Sequence, residues 1–328
     1  MASVSNTQIN GKNAILLDSG AGLQATILPD PGGICSSLRY QHKGQWIELL
    51  YEPNAFTENG MGGRIPILFP VVGRLRADGK ADQYRHKGAI YQMEGHGFAR
   101  VAAWELADSG ADEKRAFATI ELKSNEQTLG HYPYAFCLRI EYAVTSHTLT
   151  MHTTVKNESS EPMPFSYGPH PYFKAPLIDG LGSREACLLR VPGKTYYEMV
   201  ENIPTGRILP LEPPFNALPQ GMPVCDEEKG VIVGNLQTAP DGKCHADFID
   251  PASGITISQR FDPKELETVT LYSPPGKNFA CLEPRTGIPM SISDDSKAAY
   301  EGKIAAPGQT ISIHLDFVVE ESSKEPSK

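Results

Sequence analysis

The sequence predicts an all-β chain folded as one large antiparallel β-sandwich, and three observations carry that reading. Gly (30 residues) and Pro (27) are frequent and spread along the 328 residues, a punctuation that breaks long helices and marks many turns. Apolar residues at helical spacing do not persist beyond about ten positions. Short segments of period-two alternation recur between turn-forming residues, as expected of antiparallel strands with one buried and one wet face.

In chain order, Asn13–Asp18 and Leu23–Leu28 read as two strands about the Ser19-Gly-Ala-Gly22 turn. Tyr84–Met93 reads as a hairpin, and Ala116–Leu122 alternates cleanly. Phe136–Val144 and Thr148–Val155 form a second hairpin about Thr145, Ser146 and His147. Gly254–Gln259 and Thr310–Val318 alternate again. Strands at this spacing point to a sandwich or barrel. No repeat and no linker divides the chain, so residues 1–319 are expected to form one domain. The short polar stretch Glu320–Lys328 is expected to be disordered.

Composition narrows the function. Hydrophobic residues make up 40% and charged residues 21%, enough for a sizeable core. A net charge of −9 without basic runs disfavours nucleic acid and anionic lipid as partners. The six cysteines, Cys35, Cys137, Cys187, Cys225, Cys244 and Cys281, include no C-x-x-C pair and read as free thiols. The N-terminus has neither the basic nor the apolar region of a signal peptide, and no run reaches membrane-spanning length. The expectation is a cytoplasmic protein, monomeric or homodimeric, that needs no metal and no redox cofactor. His131, His152 and the His245/Asp247 pair lack partners at metal-ligand spacing, and no phosphate loop or dinucleotide fingerprint occurs.

Three segments gather polar groups among Gly and Pro, where the backbone is fixed and side chains are aimed. The first is Gly62-Gly-Arg-Ile-Pro-Ile-Leu-Phe-Pro-Val-Val-Gly-Arg74, followed by His96-Gly-Phe-Ala-Arg100. Its arginines either tie loops to carbonyls or offer planar forks of donors to sugar hydroxyls or carboxylates. The second is Phe165-Ser-Tyr-Gly-Pro-His-Pro-Tyr-Phe173. His170, held between prolines and flanked by aromatics, is either a structural histidine in a rigid turn or a general acid. The third is Leu271-Tyr-Ser-Pro-Pro-Gly276 with Phe279-Ala-Cys-Leu-Glu-Pro-Arg-Thr-Gly287. Glu283 reads as the last residue of an apolar strand. There a carboxyl gains a raised pKa suited to a general base, or else serves as an ion partner for Arg285.

In this order the three segments resemble the aldose 1-epimerase (galactose mutarotase-like) superfamily, over roughly residues 12–318. The resemblance implies a supersandwich with the sugar in an open cleft, and interconversion of the α and β anomers of a hexose. It places the general acid on His170 and the general base on Glu283. It gives substrate contacts to Arg74 or Arg64, His96 and Arg100, and it expects a sugar-binding aspartate in the later half. Asp226 is the first candidate for that aspartate, with Asp247 and Asp250 competing. The sequence departs from the pattern in two ways. Gly62-Gly63-Arg64 replaces Arg-Gly-Gly, which puts Arg64 in doubt as a ligand, and Arg285 stands where the family often has Trp. The hairpin before His96 points to the free-sugar branch. Two other readings stay open: a hexose-6-phosphate 1-epimerase, with arginines gripping phosphate, and a non-catalytic sugar-binding protein on the same fold.

Overall fold

The computed structural model describes residues 1–53, 60–295 and 302–322. Strands dominate, and every strand pair is antiparallel. Among the described residues the one α-helix is the six-residue Glu126–His131, capped by Asn125. The chain's many glycines and prolines leave room for little else.

One layer is a nine-stranded sheet. Its order is Glu105–Ala111, Ala116–Lys123, Phe136–Val144, Thr148–Asn157, Thr310–Glu321, Ile255–Phe261, Cys244–Asp250, Leu188–Arg190 and Met222–Pro223. Register carries one buried face across it. Ile120 lies opposite Ile140, Ile140 opposite Thr153, Thr153 opposite Ile313, and further along Phe317 lies opposite Gln259. The alternation that predicted these strands is this face: Ala116, Ala118, Ile120 and Leu122 are buried while their neighbours are partly exposed.

The opposite layer is made of two sheets. The first has five strands in chain order, Ser3–Ile9 through Gln45–Glu48. The second has six, ordered Tyr172–Lys174, Phe279–Arg285, Thr268–Ser273, Glu227–Gly234, Thr195–Val200 and Ile203–Pro210. They join where Leu50 bridges Phe173, with the Tyr51 N–H donating to the Tyr172 carbonyl (2.8 Å) and the Lys174 N–H to the Leu49 carbonyl (3.0 Å). Phe173 packs down onto Phe248 and Phe317 of the nine-stranded sheet. The result is a two-layer sandwich around one continuous core.

The sequence reading holds for each strand it named, with end shifts of a residue or two in most of them. Two boundaries differ. The last strand runs through Glu320 and Glu321, beyond the expected boundary at 319, because Ile255 pairs with Glu321 and Glu321 accepts from His42 at 3.0 Å. Ser322 follows, its N–H donating to the Gly254 carbonyl (2.8 Å), and residues 323–328 of the expected tail lie outside the described residues. Glu283 does not end its strand: the strand continues through Pro284 to Arg285. All six cysteines are free thiols. Among the described residues no helix is long and apolar enough to cross a membrane.

Candidate active site

The six-stranded sheet buries both of its faces along Phe279–Arg285. Alternation sends Ala280 and Leu282 into the core and turns Phe279, Cys281, Glu283 and Arg285 to the other side. Thr270 lies opposite Glu283, and Tyr272 opposite Cys281, so both share that outer face. A cavity of about 660 Å³ stands over it. Glu283, Arg285 and Thr270 form its floor, with Tyr172, Phe279 and Tyr272 beside them.

His170 reaches this floor because its backbone is pinned. The preceding strand, Gly168–Pro169, pairs with Ile67–Leu68, and the His170 N–H donates to the Pro66 carbonyl at 2.9 Å. Gly168 is required there, since a Cβ at that position would sit 2.6 Å from the Cβ of Arg285. The His170 ring stacks on Tyr172 (centroids 4.5 Å apart, 5° between planes) and meets Tyr272 edge-on. Its Nε2 lies 3.3 Å from Oε1 of Glu283. The two candidate catalytic groups, 113 residues apart in sequence, are therefore in direct contact, each less than 5% exposed.

His96 closes the cavity from the side, its ring 6.0 Å from that of His170. It occupies a left-handed backbone conformation (φ 68°), uncommon for a side chain with a Cβ. Gly97, next to it, lies against the Phe69 carbonyl, where an added Cβ would come within 2.2 Å. Nδ1 of His96 accepts from the Gly73 N–H at 3.1 Å, so the neutral ring carries its hydrogen on Nε2. Burial, followed by Arg285, Arg100 and Arg74, pushes the His96 pKa down to about 3. His96 is thus a fixed neutral donor.

The pair on the floor is tuned in opposite directions. Burial raises Glu283 to about 7, against the pull of Arg285. Burial, followed by His96 and Arg285, holds His170 well below the usual imidazole range. Both shifts disfavour charge on side chains held almost wholly out of water. A proton shared by the pair therefore rests on Glu283 and leaves His170 neutral. Burial thus favours the neutral carboxyl and the neutral imidazole, whereas a general acid at His170 requires the imidazolium.

Of the expected substrate contacts, Arg74 and His96 line the cavity and the others do not. Arg64, in a left-handed conformation, is buried and ion-paired to Glu52 at 3.2 Å. Arg100 is buried and turned to Glu94 at 3.0 Å. Asp226 is ion-paired to Arg184, Asp247 to Arg190, and Asp250 accepts from the Leu177 N–H. No aspartate among the described residues lines the cavity. Its carboxylates are Glu283 and, at the rim, Glu228.

Glu228 was not legible as a site residue. It arrives by a bulge, in which Glu228, Lys229 and Gly230 together oppose the single residue Tyr272, between the pairs Glu227–Ser273 and Val231–Leu271. Gly230, at φ 79°, was the one local signal. Lys277, from the Pro-Pro-Gly turn, and Asn202 complete the rim. Elsewhere, His131 contacts the Gln92 carbonyl, His152 stacks on His314, and His245 pairs with Asp241. Among the described residues no three His, Cys, Asp or Glu side chains are grouped to hold a metal.

Comparison with known proteins bears on the family and the fold. A family model described as aldose 1-epimerase matches residues 13–317. The chain is 32% identical to the chromosomal protein LacX of Lactococcus lactis subsp. lactis over 122 residues, 36% of this chain and 39% of that protein. The matched stretch thus spans about two fifths of that relative. Among solved structures, a galactose mutarotase-like protein from Clostridium acetobutylicum superposes with a TM-score of 0.84 at 20% identity, covering 98% of this chain and 99% of that one. A galactose 1-epimerase from Lactobacillus acidophilus NCFM gives 0.70 at 14% identity, covering 98% and 99%. At these identities the structural likeness speaks for the fold.

Proposed function

The chain belongs to the aldose 1-epimerase family, and from that premise we propose that it is a mutarotase: an isomerase that opens and recloses the ring of a hexose through the His170–Glu283 pair. One observation carries this reading. An imidazole and a carboxyl lie 3.3 Å apart on the floor of a sugar-sized cavity, with environments that leave one proton between them.

Ring opening needs a proton given to the ring oxygen and a proton taken from the anomeric hydroxyl. A pair holding one proton does both: the protonated member gives and the neutral partner takes. The bond between the anomeric carbon and the ring oxygen breaks, its electrons going to that oxygen, and the free aldehyde forms. Rotation about the neighbouring carbon–carbon bond turns the other carbonyl face to the hydroxyl. Reclosure returns both protons to their starting places, so the pair ends a cycle as it began. The Nε2 donor of neutral His96 would hold a substrate oxygen, and Tyr172, Tyr272 and Phe279 offer flat faces for the ring.

Optical rotation tests this. Freshly dissolved α-glucose and α-galactose should reach their unchanged end points faster with the protein than without it, and the faster sugar names the preference. No acceleration of any aldose would sink the reading in favour of a sugar-binding protein. The pH profile adds a second check. The pair works while it holds one proton, and the last proton leaves near pH 7. Above that pH kcat/KM should fall, about tenfold per unit. A rise through pH 7 instead would mean that Glu283 acts as a base with its acid elsewhere.

A second reading has its own observation. Arg74, Lys229 and Lys277 stand at the cavity rim in a chain of net charge −9, and among the described residues none has a carboxylate at ion-pair distance. That rim favours a sugar bearing an anionic group, such as a hexose 6-phosphate. Exchange spectroscopy on the 6-phosphates, with inorganic phosphate as competitor, separates the two: preference for the phosphorylated sugar, weakened by salt, would establish the anionic substrate.

A further inference from the structure

Arg285 is one side chain that the acid–base scheme leaves without a task. It is 3% exposed, it lines the cavity, and nothing in the proton transfers requires it. Its placement is nevertheless tightly determined. Residues 283 and 285 fall on the same face of one strand, so the guanidinium lies beside the carboxyl, with Nη1 3.8 Å from Oε2 of Glu283. Nη2 donates to the Thr270 hydroxyl, from the residue directly opposite Glu283. Gly168 has no side chain where the Cβ of Arg285 passes. Nε is buried without a hydrogen-bond partner. A desolvated cation held this way is costly to the fold, and it is kept next to the reacting pair.

The two oxygens of Glu283 thus face different groups. Oε1 faces His170, and Oε2 faces Arg285. We propose that Arg285 is a positioning residue: its fixed guanidinium, set against the far oxygen of Glu283, limits the His170–Glu283 pair to one transferable proton. This rests on the mutarotase reading above. A cation beside the pair opposes a second proton on His170 by repulsion and loosens the proton on Glu283 by attraction, so a single proton remains and it can move. Without the cation both groups hold protons more tightly. The other charged or titratable groups around Glu283 do not replace it. Neutral His96 faces the pair from the side, Tyr172 and Tyr272 flank it, Cys281 shares its strand, and Arg74 is exposed at the rim. Burial keeps the Tyr172 hydroxyl and the Cys281 thiol neutral.

The test is the titration of Glu283, followed by carbon NMR of carboxyl-labelled glutamate and assigned by loss of the signal in Glu283→Gln. This readout does not depend on turnover. In Arg285→Met the midpoint should move up by at least about one pH unit, a tenfold change in proton affinity. The fall of kcat/KM at high pH should move with it, and Arg285→Lys should restore much of both. An unmoved midpoint in Arg285→Met, with lower activity, would overturn the proposal and leave Arg285 a structural or sugar-binding group. If Arg285→Met does not fold, Arg285→Lys and Thr270→Val decide. Each loosens the cation and should shift the midpoint upward by a smaller amount; no shift in either overturns the proposal. A shifted midpoint in a chain whose wild type turns over no sugar would refute the mutarotase reading and leave the electrostatic role standing.

Discussion

The floor and the rim of the cavity are built from the same residue types under opposite conditions. On the floor, His170, Glu283, Arg285 and Thr270 are each at most about 5% exposed, and every polar contact acts in a medium that screens it little. At the rim, Arg74, Glu228, Lys229 and Lys277 are exposed, and water and salt weaken whatever they touch. The difference separates two tasks. On the proposed mutarotase reading, groups whose proton affinity must be set lie where charge is expensive, whereas groups that meet the substrate lie where charge is cheap and adjustable. Arg285 and Arg74 make the contrast within one residue type: the first is locked by Thr270 and Gly168, the second is unpaired among the described residues.

The contrast breaks first, and most visibly, at the pair itself. Glu283→Gln and His170→Asn should each lower kcat by roughly a hundred- to ten-thousand-fold with the fold intact, and the double variant should be little worse than either, because the two act as a unit. Near-normal turnover in either variant would remove the pair from the chemistry.

The next effect is on stability. The carboxyl of Glu283 is raised above its unfolded value, so its contribution is fully present below about pH 4.5 and is lost as pH rises through about 7. Glu283→Gln should therefore be more stable than the wild type at pH 8, by up to about 3 kcal/mol in unfolding free energy, with the gap closing toward pH 5. Equal stabilities at pH 8 would mean that ionised Glu283 costs the fold nothing.

Smaller changes belong to the rim. Lys229→Ala, Lys277→Ala and Arg74→Ala should raise KM several-fold for an anionic sugar, leave kcat nearly unchanged, and lose their effect in high salt. Arg100→Ala, outside the cavity, should leave KM alone and lower stability by about 1–3 kcal/mol, since the buried Arg100 side chain leaves a void; exposed Glu94 is taken up by water. Smallest of all, Asp226→Asn should change neither constant measurably, because its ion pair with Arg184 lies away from the cavity lining.

The floor was largely legible in the sequence and the rim was not. Strands announce themselves by alternation, and the segments Phe165–Phe173 and Phe279–Gly287 combine rigid backbone with titratable side chains, so His170 and Glu283 could be named together. Less was visible where both faces of a strand are buried, as in Thr268–Ser273 and Phe279–Arg285, because alternation disappears there. Pro284 after Glu283 reads as the end of the strand, whereas the strand runs on through it to Arg285. Arginines posed a different problem. Arg64, Arg74 and Arg100 look alike in sequence, and their roles were decided by nearby carboxylates: Glu52 and Glu94 claim the first and third. The aspartates divide for a related reason. Asp226, Asp247 and Asp250 each have structural partners, while the acid that reaches the rim comes from three residues displaced out of a ladder.

That displacement has a consequence for how the molecule can change. Pairing resumes on both sides of Glu228–Gly230 with the register moved by two residues, so the extra length is taken up inside the bulge. Insertions, deletions and substitutions there would redraw the entrance while the ladder holding Thr270 against Glu283 stays in step. On the proposed reading, the preference for a sugar can then drift through descendants of this chain independently of the proton chemistry beneath it, and the bulge is where a library of altered selectivities is best planted.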